Sequence, residues 1–269
     1  MTNLKLLVIG HLARDVVKTK TGTGEFWGGA GYHVAMAAAM FLPAGEVVLK
    51  SSAGKDFNKK ILIEKGINSN YLKINESENC DKHFLDESTE KREYFSEGIL
   101  SEEIDLMDLE PIIEEIGWIH LASSPPKQQL KWLSQIKSFG RGDILISADT
   151  FDTFAAETPD KVHQVFEQCT LGFLNQGEWS NLNAQDMKMK LIRKLGEMGA
   201  EIFENGEKIL GVECEREVKV ADTTGAGEVV AGVYLAKKIL GVPDDEALRE
   251  AIKMATKSVE NFGTDHLRT

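Results

Sequence analysis

Short apolar runs recur along this chain, each closed by glycine or a polar residue, with amphipathic stretches between them. The runs are "KLLVIGHL" (5–12), "VVLKSSAG" (47–54), "WIHLAS" (118–123), "DILISAD" (143–149) and "LGFLNQ" (171–176). Their length and their Val, Ile and Leu content read as strands buried on both faces. Residues 30–41, 108–117, 127–139, 159–169, 227–240 and 243–263 read as helices between or after them. The last of these opens with a proline and two aspartates and closes on a glycine, as helix ends prefer. Alternation of this kind predicts an α/β fold, a three-layer αβα sandwich around a mostly parallel central sheet. In such sheets ligands sit beyond the C-terminal ends of the strands, so functional residues are expected there.

Two stretches break the alternation. Residues 15–27 and 81–98 alternate polar and apolar side chains around turn-like centres and read as antiparallel hairpins too polar for the central sheet. They predict a small β lid, from about 13–27 and 81–98, on a single domain spanning 1–269. No linker, repeat or low-complexity tract divides the chain.

With 43 Asp plus Glu against 31 Lys plus Arg, the formal charge is −12. That balance argues against nucleic-acid and anionic-membrane partners, which need broad basic surfaces. It leaves room for a small anion in a local pocket. The three cysteines, Cys80, Cys169 and Cys214, lack metal-ligand spacing and suit a reducing compartment. No run approaches the roughly 20 apolar residues of a membrane span, and the N-terminus reads as a first strand and not a signal peptide. The expected location is the cytoplasm.

The stretch "ADTTGAGEVVAG" (221–232) carries the sharpest chemical signal. Glycines ahead of a helix let successive N–H groups point outward, and the helix N-terminus adds partial positive charge, so the pair makes an anion site. An acid in that first turn has a bland role as well, stabilising the helix by about 0.3–1 kcal/mol. "DTTGAG" followed by an acid and a small-residue helix resembles the C-terminal signature of the ribokinase-like (PfkB) carbohydrate and nucleoside kinases. In that family the loop amides hold phosphates and the following acid is the catalytic base, which places Gly225, Ala226, Gly227 and Glu228 in those roles. "GHLARD" puts Asp15 where a substrate-hydroxyl ligand is expected. "GGAGYHVAMAAA" is similar to the N-terminal signature, with Gly28 and Gly29 at the acceptor pocket. "NQGE" matches the motif that organises magnesium, in the persons of Asn175 and Glu178. The resemblance further implies Thr223, Thr224, Gly196, Gly199 and Asn261 at the nucleotide, ATP and Mg2+ as cofactors, and a possible homodimer through the lid. The four motifs fall in family order over about 220 residues.

Three departures stand out. Glu228 replaces the family aspartate, and one extra methylene moves the carboxylate by about 1.5 Å. His33 stands where the family usually has asparagine; a histidine in an apolar helix is either a packing residue or, beside Gly28 and Gly29, a ligand. The segment 187–209 is short for the family and looks helical and basic ahead of Gly196 and Gly199, so that a strand and helix are lost or "KLIRK" is a poor strand.

Weaker candidates also follow strands or sit in the hairpins. Asp149 and Asp152 read as strand-end caps or as contacts to the magnesium, and His11 as a residue facing the acceptor. His83, Arg92 and Tyr94 read as a cover over the acceptor or as contacts to a second lid, and Lys55 and Lys59 as solvated surface charge. The expected function is ATP-dependent phosphorylation of a hydroxyl on a sugar, nucleoside or related polyol, with a metabolite-binding or regulatory protein on the same fold as the alternative.

Overall fold

A computed structural model describes residues 4–20, 22–86, 88, 93–98, 100 and 104–261. Arg92 lies outside the described residues. In chain order the strands are β1 (Lys5–Ile9), β2 (Ala13–Thr19), β3 (Gly22–Gly28), β4 (Val47–Gly54), β5 (Ile67–Asn68), β6 (Leu72–Asn75) and β7 (Asp81–Asp86). There follow β8 (Glu93–Glu97), β9 (Ile116–Leu121), β10 (Leu145–Asp149), β11 (Leu171–Asn175), β12 (Lys190–Lys194), β13 (Ala200–Glu204) and β14 (Glu207–Val212). The helices are α1 (Ala30–Ala38), α2 (Lys60–Glu64), α3 (Pro126–Ser138), α4 (Asp152–Glu157), α5 (Pro159–Phe166), α6 (Gln176–Asn181), α7 (Ala226–Ile239) and α8 (Asp244–Ser258).

Among the described residues, ten strands form one sheet in the order β14-β13-β12-β11-β10-β9-β1-β4-β5, with β6 also on β4. Pairing is parallel from β4 through β12 and antiparallel only for β13 and β14. Strand β1 shows why both faces need helices. Leu6 and Val8 enter one core with Tyr32, Val34 and Val233 of α1 and α7, while Leu7 and Ile9 enter the other with Trp132 and Phe166 of α3 and α5. Each such burial contributes roughly 1.5–3 kcal/mol.

Helix α7 lies directly against α1. A side chain at Gly232 would meet the Val34 carbonyl at 2.4 Å, so glycine permits near backbone contact. This approach sets the N-terminal ends of α1 and α7 side by side, with Gly225 against the His33 ring. A second sheet of four strands, β3-β2-β7-β8, is built from the two expected hairpins, joined by parallel pairing of β2 with β7.

Two expectations change. Residues 108–117 are not a helix: Pro111 removes a backbone donor, and short 3-10 turns at Met107–Leu109 and Ile113–Glu115 lead into β9. Residues 190–194 are a true strand, with Leu191 and Ile192 buried on opposite faces between β11 and β13. Their basic look has a tertiary cause. Lys190 pairs with Asp244, Arg193 donates to Glu201 and Lys194 to Asp149, partners a local reading does not see. The β13–β14 hairpin turns at Asn205 and Gly206, both at positive φ, so "NG" carried a hairpin signal that went unread.

Candidate active site

The C-terminal ends of β10, β11 and β12 are Asp149, Asn175 and Lys194. They open into a cleft of about 610 Å3, closed on its other side by residues of the four-stranded sheet. That volume lies in the range of small-molecule sites.

On one side stands Asp15 of β2, buried to 2% exposure. Its Oδ2 accepts the Gly29 N–H at 3.2 Å and lies 2.9 Å from His33 Nε2; its Oδ1 lies 3.2 Å from His83 Nδ1. Gly28 leaves the room this needs, since a Cβ there would fall 1.7 Å from Asp15 Oδ2. Burial works against the Asp15 charge, but the bonds to His33 and His83 outweigh it and hold the carboxyl well below its usual range. His33 is also buried, which lowers its pKa; Asp15, with help from Glu228 and Asp222, overcomes that and raises it. His11, beside His83 at a ring distance of 4.7 Å, is pushed down to about 3 by burial and then by its histidine neighbours. The site thus keeps one imidazole neutral and another biased toward its charged form within one cluster.

Next to His33 begins α7. Gly225 is its N-cap at φ 78, a conformation that favours glycine, and a Cβ there would meet His33 Nδ1 at 2.7 Å. Among the described residues His33 Nδ1 itself has no hydrogen-bond partner. The Thr224 N–H bonds Asp222 Oδ1 at 2.8 Å and the Ala226 N–H turns back to the Thr223 carbonyl at 3.2 Å. Gly227 and Glu228 fall in the first helical turn, whose amides lack intrahelical acceptors.

On the far side of Gly227 lie the strand ends. Lys194 Nζ donates to Asp149 Oδ2 at 2.8 Å, and a Cβ at Gly227 would sit 3.1 Å from that Nζ. "NQGE" forms a capping box at the start of α6. Asn175 Oδ1 accepts the Glu178 N–H at 2.8 Å, Glu178 Oε2 accepts the Asn175 N–H at 2.7 Å, and Asn175 Nδ2 also donates to Glu178 and to Asp152. Burial pushes Glu178 up to about 8 and Asp149 to about 6, against the pull of Lys194. Lys194 is held above its ordinary range, because Asp149, Glu178 and Glu228 outweigh its own burial.

Most of the residues expected from sequence meet in this cleft: Asp15, Gly29, His33, Asn175, Glu178, Gly196, Thr223, Thr224, Gly225, Gly227 and Glu228 line it, with His11, His83, Tyr94, Asp149 and Asp152. Gly28 sits behind Asp15, and the Ala226 amide is engaged with Thr223. Gly199 lies at the β12–β13 turn against the Val212 carbonyl, and Asn261 is exposed beyond α8; neither lines the cleft. Lys55 and Lys59 bond the carbonyls of Ser77 and Leu72, away from the cleft. Lys194 is the main residue that reading the sequence missed. Its signal was position, since it ends a parallel strand in register with Asn175.

Fold and cleft together place a glycine loop at a helix N-terminus beside three strand ends, a geometry able to take an anion. The chain belongs to the pfkB family carbohydrate kinases, whose model matches residues 3–269. It is therefore a phosphotransferase with a hydroxyl acceptor. A cytidine kinase of Thermococcus kodakarensis is 23% identical over 283 residues, covering 97% of this chain and 98% of that one. Among solved structures, ribokinase from Cryptococcus neoformans in complex with ADP superposes with a TM-score of 0.79 at 19% identity, over 98% of this chain and 96% of that one. A Burkholderia thailandensis nucleoside kinase in complex with inosine gives 0.81 at 15%, over 96% and 92%. No helix of the described residues is long and apolar enough to cross a membrane.

Proposed function

We propose that the protein transfers the γ-phosphoryl group of ATP to a ribose hydroxyl of a nucleoside. The observation that carries the acceptor class is an aromatic strip along the acceptor side of the cleft. His11 and His83 have ring centroids 4.7 Å apart, His83 and Tyr94 5.7 Å, Tyr94 and Phe151 4.9 Å, and Phe151 and Phe154 6.2 Å. All five line the cleft. A free sugar or polyol has no flat π-face to use such a strip; a nucleobase does, and stacking of this kind is worth about 1–3 kcal/mol per base.

In this reading Asp15 and His33 hold the ribose hydroxyls, the unpartnered His33 Nδ1 giving one more donor beside Gly225. The acceptor oxygen attacks the γ-phosphorus, its proton passes to the Glu228 carboxylate, and the bond to the bridging oxygen breaks to leave ADP. The amides of Gly225, Gly227 and Glu228 face the developing charge, with Ala226 joining them once it leaves Thr223. Thr223, Thr224 and Gly196 border the donor.

The donor side also suits Mg2+. Glu178, Asn175, Asp149 and Asp152 offer hard oxygens, and the carboxylates Glu178 and Asp149 carry raised pKa values that a cation would relieve. Mg2+ takes one or two carboxylates with waters and substrate phosphates, and would there neutralise phosphate charge. The four-stranded sheet acts as a lid whose closure excludes water, and its edge strand β8, with Phe95 55% exposed, supports pairing of two copies through it.

The test is ADP release with Mg2+ and ATP across nucleosides, free pentoses and polyols, for wild type and Glu228→Gln. Nucleoside-dependent release that falls roughly 10²–10⁴-fold in the variant is expected. Release driven by free pentoses alone refutes the acceptor class, and undiminished release in Glu228→Gln refutes the base. Nucleoside binding with no release by either protein supports a binding protein instead.

A further inference from the structure

The glycine loop is bracketed by two basic side chains. Gly225 is glycine where a Cβ would strike the His33 ring, and Gly227 is glycine where a Cβ would sit 3.1 Å from Lys194 Nζ. The first belongs to the acceptor side already described. The second has no assigned part. Lys194 ends β12 with its side chain 14% exposed on the cleft wall, bonded to Asp149 Oδ2 at 2.8 Å and in the field of Glu178 and Glu228 as well.

A lysine kept only to neutralise a buried aspartate has no need to touch an anion loop. Here the ammonium stands against the first turn of α7, where an incoming phosphate would meet the loop amides. It carries three donors and Asp149 takes one of them, so the others are free to turn to phosphate oxygens as a point charge. We infer that Lys194 is a catalytic residue of the donor site, binding the oxygens of the transferred phosphoryl group beside Gly227. This rests on the reading of ATP as donor. Aspartate, asparagine and lysine at three neighbouring strand ends then divide the work: Asp149 holds the lysine in place, Asn175 caps α6, and Lys194 meets the phosphate.

Titration calorimetry with ATP, ADP, AMP and adenosine on wild type, Lys194→Met and Lys194→Arg tests it. In wild type, affinity rises with the number of phosphates. Lys194→Met is expected to lose roughly 10- to 100-fold on ATP while adenosine binding stays unchanged, and Lys194→Arg to recover most of the loss. Equal losses on ATP and adenosine, or an unchanged ATP affinity, overturn the assignment and leave Lys194 as the structural partner of Asp149. Should Lys194→Met not fold, the double variant Lys194→Met with Asp149→Asn removes the carboxylate bonded to the lysine together with it and is compared with Asp149→Asn alone. Failure of the reading beneath it looks different: wild type itself would neither bind ATP nor release ADP, and the assignment falls with that reading.

Discussion

The two halves of the cleft treat buried charge in opposite ways. On the acceptor half a single carboxylate, Asp15, is met by two histidines and a backbone amide, and its pKa is held down. On the donor half Asp149, Glu178 and Glu228 crowd around Lys194, and burial pushes Asp149 up to about 6 and Glu178 to about 8. On the acceptor half the charge of Asp15 is answered, and among the described residues the buried His33 Nδ1 is left without a partner. The other half gathers three carboxylates around one lysine, a strain that an arriving cation and nucleotide would relieve on the proposed reading. On the proposed reading, acceptor binding would draw on preorganised hydrogen bonds and donor binding on relief of unfavourable charge.

The comparison can be broken most forcefully on its balanced side. Asp15→Ala strips the counter-charge from a buried His33 and is expected to cost about 3–5 kcal/mol of stability, read by chemical denaturation, together with loss of acceptor affinity. If the variant is as stable as wild type, the acceptor half is not held together by this cluster.

The donor half should respond with the opposite sign. A carboxyl whose folded pKa is raised from 4.5 to about 8 makes the protein less stable as pH rises between those values. Glu178→Gln, which still caps α6, should therefore gain on wild type from pH 5 to 8, by up to about 1.4 kcal/mol per pH unit. Thermal melts across that range check it, and added Mg2+ with ATP should narrow the gap. A constant difference would mean that Glu178 is not the strained group.

The smallest effect is the sharpest in sign. His33 has a folded pKa above its ordinary 6.5, so its pair with Asp15 stabilises fully below pH 6.5 and loses that contribution as pH rises through the raised value. The stability gap between wild type and His33→Asn is expected to be widest below pH 6.5 and to shrink above it. A gap that widens with pH would show His33 to be neutral.

Much of this molecule was legible before any coordinates. The five apolar runs became β1, β4, β9, β10 and β11 because a strand buried on both faces leaves a local signature of continuous Val, Ile and Leu. Asp15 and Glu228 were singled out by resemblance to the family motifs "GHLARD" and "DTTGAGE", and both line the cleft. Strand β12 was left open between a loss and a poor strand, since its lysines and arginine are answered by Asp244, Glu201 and Asp149 from elsewhere in the chain. The segment 108–117 was misread because helical spacing of apolar residues outweighed Pro111, whose effect was local and was there to be seen.

The glycines mark the boundary between the two kinds of knowledge. The sequence alone pointed to a bend at glycine where a helix begins, which is Gly225 with Gly227 in the first turn behind it, because backbone freedom is a property of the residue itself. Only the tertiary structure decided what that bend must make room for, an imidazole on one side and an ammonium on the other. Those side chains come from α1 and β12, and nothing in the local sequence can encode which distant groups packing will bring within 3 Å or so of a missing Cβ.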